Sequence, residues 1–174
     1  IDLIEEIARL IGYDNFEACL PQPINPGGLN SRQQAERQLR TYLTNSGFQE
    51  VTTMSLVPKD EKDINRVAID NPLLKETSHL RTTCWEEHIS ICKRNIQVGA
   101  DSCWVYELGN VFNKYDNNIE QKSVLSGCII GNKQSELWST NGKKNKIDYF
   151  QARGILEKVF TTMKLKILDE KLID

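Results

Sequence analysis

The sequence predicts an α+β fold on a mainly antiparallel sheet, and three observations lead there. Tyr115-Asp116-Asn117-Asn118 sits between two apolar runs and reads as a hairpin turn. Helical spacings of apolar residues fall between some of the strand-like stretches but not all of them. The steady strand–helix alternation of a parallel doubly wound fold is missing.

Composition sets the bounds. The chain has 174 residues and a net charge of −2, enough for one full domain with a short appendage. An apolar share of 39% with a mean hydropathy of −0.47 predicts a soluble globular protein. No apolar run approaches the roughly 18–20 residues of a membrane span, so no membrane partner is expected. No secretory signal is visible, and the chain opens inside an apparent helix, as a piece of a longer polypeptide would. The charge supplies no global drive towards nucleic acid, so such a role would need a local patch or a neighbouring domain. Cys19, Cys84, Cys92, Cys103 and Cys128 form no C-x-x-C pair. The last four lie among apolar neighbours, which predicts buried free thiols in a reducing, cytoplasmic setting.

The elements follow in order. Asp2–Ile11 carries Leu3, Ile4, Ile7, Ala8, Leu10 and Ile11 at helical spacing, and Gly12 is placed to end it. Residues 14–30 hold Pro21, Pro23, Pro26, Gly27 and Gly28 and read as a linker between two units. Asn30 or Ser31 caps a helix with Ala35, Leu39, Tyr42 and Leu43 on one face, closed by Gly47. Residues 48–57 are predicted as one strand stopped by Pro58, and 67–70 as a short one. Trp85, Ile89, Cys92 and Ile96 are spaced as the buried stripe of a helix over 84–97. Residues 103–108 and 111–112 read as strand. The near-continuous apolar run 124–130 predicts a strand central to the sheet. A lysine-rich excursion around Trp138 follows, then a helix opened by the capping pair Asp148 and Gln151, and a last strand from Leu165 to Leu168.

Candidate chemistry is sparse. Neither G-x-x-x-x-G-K-[ST], nor a strand-borne G-x-G-x-x-G, nor H-E-x-x-H occurs. Of the two histidines, His79 and His88, the second lies off the apolar stripe beside Glu86 and Glu87, and a solvated side chain is its expected state. Asp2 and Glu6 are one helical turn apart, with Glu5 between them. From spacing alone a capping box is the first reading and Mg²⁺ ligation by hard oxygens the second. Lys133, Lys143, Lys144 and Lys146 around Trp138 could meet RNA phosphates and stack a base, with a solvated loop anchored by the indole as the first reading.

A set of short words in a fixed order adds to this. Asp2-Leu3-Ile4-Glu5-Glu6 with Ile11-Gly12-Tyr13, Gly47-Phe48-Gln49-Glu50-Val51, Asn71-Pro72-Leu73, Leu80-Arg81-Thr82, Glu107-Leu108-Gly109-Asn110-Val111-Phe112, Trp138 and Asp148-Tyr149-Phe150 span nearly the whole chain. Together they resemble the synthetase-like core of the bacterial phenylalanine–tRNA ligase β chain. The resemblance implies a class II synthetase-like domain, a mainly antiparallel sheet flanked by helices, that has lost catalysis. It implies residues 1–13 closing a small helical domain, 14–30 as linker and 31–174 as core. It also implies an (αβ)₂ tetramer whose α chain uses ATP to attach phenylalanine to its tRNA. Acids matching Asp2, Glu5 and Glu6 bind a Mg²⁺ shared with the α chain in that family, which places metal ahead of capping. A further acidic ligand would lie before Ile1.

The sequence fits the loss of catalysis. Active class II chains carry an arginine just after a segment like Gly109-Asn110-Val111-Phe112, where its planar fork grips the ATP α-phosphate. Here Asn113 stands in that place. No proline of an active first motif is present in 48–57. The expected role is therefore a non-catalytic scaffold for the α chain. An active class II enzyme would need an arginine where Asn113 stands, and a stand-alone RNA-binding module would need more basic charge. Residues 31–57 are the expected docking unit, with Tyr42 and Phe48 as anchors.

Overall fold

The computed structural model describes residues 1–20, 27–116, 118–133 and 145–165. Among these residues four α-helices, α1 (Asp2–Ile11), α2 (Ser31–Asn45), α3 (Trp85–Gln97) and α4 (Tyr149–Thr162), accompany five strands: β1 (Gln49–Glu50), β2 (Leu56–Val57), β3 (His79–Leu80), β4 (Ser102–Tyr115) and β5 (Asn118–Gly131). The expected last strand and the stretch around Trp138 lie outside the described residues.

A long hairpin organises the molecule. β4 and β5 pair antiparallel from Ser102↔Gly131 to Tyr115↔Asn118. The turn places Asp116 at φ 52°, a left-handed conformation that a short polar side chain tolerates. β1 adds in parallel to the other edge of β4 through Gln49↔Val105 and Glu50↔Tyr106. The order is β1-β4-β5, so β4 is central, and β5 is an edge strand among the described residues. The sequence reading of 124–130 as the central strand is thereby corrected. Near-continuous apolar character reports cover on both faces, not lateral position. Leu125 and Ile129 pack on one cluster and Cys128 on the other.

The single strand expected over 48–57 is divided between two sheets. Val51 still donates to the Tyr106 carbonyl at 2.9 Å, while Arg81 donates to the Ser55 carbonyl at 2.9 Å. β2 then pairs antiparallel with β3 through Leu56↔Leu80 and Val57↔His79. The short strand expected at 67–70 joins there: Leu80 donates to Val67 and Ile69 to Ser78, at 2.8 and 2.9 Å.

Alternation along β4 builds two cores. Trp104 and Tyr106 meet Leu39, Leu43, Phe48 and Val159 from α2, the β1 approach and α4. The rings of Phe48 and Trp104 lie 5.7 Å apart, a tilted packing aromatic pairs favour. Phe48 is therefore a core residue, not an exposed anchor, and Tyr42 packs against the same cluster. On the opposite face Cys103 and Val105 pack with Cys92 of α3. The cysteines are all free thiols, with Cys84, Cys92 and Cys103 buried and Cys19 exposed; Cys128, expected to be buried, is only partly so because it lies on β5 at the sheet edge. Burial pushes the Cys92 thiol far up, an inert state.

Helix ends obey local chemistry where the cap residue is in register. Asn30 with Gln33 and Asp148 with Gln151 form reciprocal capping boxes. α1 differs. Its cap position is Ile1 and no side chain caps it, so Asp2 sits one residue too late for the capping box expected with Glu5. Gly12 (φ 92°) ends α1 and Gly47 (φ 98°) follows α2. No residue of α1 is buried.

Candidate functional site

The densest chemistry lies beneath α3, on the face of β4 that carries Cys103 and Val105. Residues 103, 105 and 107 share that face by strand alternation, so Glu107 must enter it as a charge. Arg81, just after β3, meets it there. Arg81 Nη2 donates to Glu107 Oε1 at 2.8 Å, Nη1 to Thr53 Oγ1 at 2.6 Å, and Nε to the Asn110 carbonyl at 2.9 Å. Thr53 donates on to Glu107 Oε2 at 2.6 Å. His88 Nε2 lies 3.2 Å from Glu107 Oε2, and its Nδ1 lies 3.2 Å from Ser126 Oγ. Arg81, Glu107 and His88 are 2%, 3% and 0% exposed, so no substrate reaches them.

Burial alone would push the Glu107 carboxyl up. The hydrogen bonds from Arg81 and Thr53, the Arg81 charge and the bond to His88 outweigh it and hold the carboxyl below the ordinary value. Gly109 completes the arrangement, since a Cβ there would stand 2.5 Å from Arg81 Nη2 and 2.8 Å from Glu107 Oε1. Glu107-Leu108-Gly109 is thus one structural word: a buried acid and the bare backbone that leaves room for its partner.

The network turns α3 away from the expected stripe. His88 and Cys92 are buried, whereas Trp85 is 53% exposed. The expectation of a solvated His88 is corrected: polar atoms under the helix draw an imidazole inward, and helical periodicity carries no trace of them. Glu107 did leave a signal, a lone carboxylate in the apolar run 103–108 that requires a counter-charge. A second cluster pins the loop before α3. Arg66 donates to Glu86 and to the Pro58 carbonyl at 2.8 and 2.9 Å. Burial would raise the Asp63 carboxyl, but bonds from Thr82, the Asn65 amide and Arg66 lower it.

The other sequence-predicted residues stand apart. Asn113 is half-buried near the hairpin tip, opposite Glu120. Asp2, Glu5 and Glu6 lie on the exposed α1, where Glu6 accepts from Arg9 Nε at 3.1 Å. Among the described residues no three His, Cys, Asp or Glu groups are gathered to hold a metal, and no helix is long and apolar enough to cross a membrane. Lys133 and Lys146 flank the lysine-rich stretch, while Trp138, Lys143 and Lys144 lie outside the described residues. An apolar cavity of about 280 Å³ opens between α2, α4 and the hairpin, with Phe48, Tyr106 and Phe160 in its walls.

Comparison with known proteins follows the same outline. The profile described as the phenylalanyl tRNA synthetase beta chain CLM domain matches residues 17–171. The chain belongs to this family. It is 52% identical over 172 residues to a Prochlorococcus marinus protein named phenylalanine–tRNA ligase beta subunit, covering 99% of this chain and 20% of that protein. It is 53% identical over 174 residues to the protein of that name from another strain of the same organism, MIT 9313, covering 100% of this chain and 21% of that one. The chain therefore spans about a fifth of the length of the curated relatives it matches. Among solved structures, pyrrolysyl-tRNA synthetase from Desulfitobacterium hafniense superposes with a TM-score of 0.56 at 12% identity, over 79% of this chain and 48% of that one. At that identity the likeness is one of fold, the α+β class II synthetase fold. In the CLM family chain the buried Arg81–Glu107–His88 centre then reads as architecture, the fastening of β3 and α3 to the hairpin.

Proposed function

We propose that this chain is the non-catalytic core of a phenylalanine–tRNA ligase β subunit, scaffolding an α chain that attaches phenylalanine to tRNA at the expense of ATP. The assembly proposed is a cytoplasmic (αβ)₂ tetramer. One observation carries the reading. At the outer end of the hairpin, where an active class II chain would present an arginine to the ATP α-phosphate, Asn113 offers a neutral amide opposite the carboxylate of Glu120. Across the strands the Glu120 carboxylate is paired with Lys122 at 2.9 Å, so the position itself lacks the planar, bidentate cation that grips an α-phosphate. Membership of the CLM family supports the same reading. Co-purification of the full β chain with its α chain tests the scaffold. Titration calorimetry of this domain with ATP and Mg²⁺ tests the loss of catalysis, and micromolar affinity would overturn it.

Residues 1–13 are proposed to close a neighbouring helical unit, 14–30 to link it, and 31–174 to form the core. The absence of any buried residue in α1 supports that division. The outer side of α2, a helix that buries only Leu39 and Leu43 against the core, is the proposed docking face. Asp2, Glu5 and Glu6 are the proposed Mg²⁺ ligands. They fit in kind, as hard oxygens on one helical face, and need further ligands from outside these 174 residues. Replacing Glu6 by Ala in the α–β assembly is expected to lower metal occupancy, read by metal analysis of the purified complex; unchanged occupancy would remove these acids from the site.

A further inference from the structure

We propose that the groove between α4 and the base of the hairpin seats the phosphate backbone of RNA, an inference that rests on the domain working within a tRNA-charging assembly. The groove, of about 460 Å³, is lined by Trp104, Lys133, Ile147, Gln151, Gly154 and Lys158 among others. Positions 151, 154 and 158 fall on one side of α4 by helical spacing. A Cβ at Gly154 would meet nothing within 4 Å, so the helix backbone borders open space. Opposite, Ile147 donates to the Gly131 carbonyl at 3.1 Å and Lys133 to the Asn145 carbonyl at 2.8 Å. This short stem turns Lys133 and Ile147 to the groove and Lys146 to its other face.

The lining charges are of one sign. Among the described residues Lys133 and Lys158 have no ion pair, and no carboxylate lines the groove. The neighbouring acids are engaged elsewhere: Asp148 accepts from the Gln151 amide at 2.8 Å, and Glu157 from Arg153 Nε at 2.7 Å. The groove beside α2 is the contrast, since its Arg32 and Arg40 are neutralised by Glu36 and Glu50 at 2.8 Å each. A neutral group adds donors. The Gln151 side-chain oxygen already accepts from the Asp148 amide, which leaves its NH₂ to donate, whereas the Trp104 indole N–H, without an acceptor among the described residues, is buried.

An occupant made of acceptors and negative charge fits such a lining. In sequence between the lining residues Ile147 and Gln151 stand Tyr149 and Phe150, 50% and 80% exposed. Basic residues beside exposed aromatic rings suit RNA, whose phosphates take the lysines and whose unpaired bases take a ring face.

The test uses full-length β chain assembled with its α chain. In the double variant Lys133→Gln/Lys158→Gln, tRNA binding is expected to weaken, and the slope of log affinity against log salt to shrink by about 1.4–1.8, two phosphate contacts at about 0.7–0.9 each. Phe150→Ala is expected to weaken binding with the slope unchanged. Phenylalanine-dependent ATP–pyrophosphate exchange, which involves no tRNA, should stay at the wild-type rate and reports an intact assembly. Unchanged affinity and slope would overturn the proposal, as would loss of the α chain from the double variant, which would mark the groove as a seat for protein. Failure of the wild-type chains to assemble would instead sink the scaffold reading, and the same salt titration on the full β chain alone would still decide the groove.

Discussion

A carboxylate buried to 3% exposure, as Glu107 is, stays charged only while its donors stay in place. Removing one partner of such a pair leaves the other uncompensated in a low-dielectric site, a loss of about 3–5 kcal/mol. Glu107→Gln is expected to cost that much in urea unfolding at neutral pH. The sign of its pH dependence follows from the depressed carboxyl. Its contribution is complete above the ordinary carboxylate pKa and is lost as pH falls through the lower folded value. Acidification should therefore narrow the gap between wild type and variant, and a constant gap would disprove the linkage. Gly109→Ala tests the same centre from the backbone. Its Cβ would overlap Arg81 Nη2 at 2.5 Å, so a side chain with one carbon should destabilise nearly as much as loss of the acid.

At the scale of elements, α3 shows how a helix can be located correctly from its sequence and still be rotated wrongly. Four apolar residues at ideal spacing outvote one histidine in any periodicity argument. The sheet beneath carries Glu107, and His88 is the group on the helix that can answer it. Ile89→Ser is accordingly expected to change stability by no more than about 0.5 kcal/mol. His88→Ala should cost about 1–3 kcal/mol, because a buried acceptor loses its partner. Thermal or denaturant unfolding of the two variants separates these outcomes, and the reverse order would restore the sequence reading. The caps were simpler. Asn30 and Asp148 act on amides within their own first turns, and Asn30→Ala should cost about 1 kcal/mol.

For the whole molecule, the hairpin is the frame and helices cover both its faces. α2 and α4 lie over Trp104 and Tyr106, and α3 over Cys103 and Val105. α1 buries none of its residues, so deleting residues 1–13 is expected to leave the melting temperature of the remaining domain within about 2 °C of its value with α1, given that 1 kcal/mol moves a domain of this size by about 2–4 °C. A larger fall would mean that α1 packs on the core in solution. Leu3, Ile4 and Leu10 all stand exposed, which suits a helix whose partner is another unit.

The sequence by itself determined the elements that local chemistry decides: helix positions and their ends at Asn30, Gly47 and Asp148, the hairpin turn at 115–118, the burial of the Cys84, Cys92 and Cys103 thiols and the family of the chain. Hydrogen bonds within a turn and apolar periodicity act over a few residues, so a single chain records them. Tertiary structure alone decided which strand is central, how residues 48–57 divide between two sheets, why α3 buries His88, and that Arg81 and Glu107 meet at all. Those are contacts between residues 19 to 56 positions apart, and around Glu107 they are the ones that bury a carboxylate together with its donors. A charge in an apolar run tells the reader that a partner must exist. Only the fold says which one.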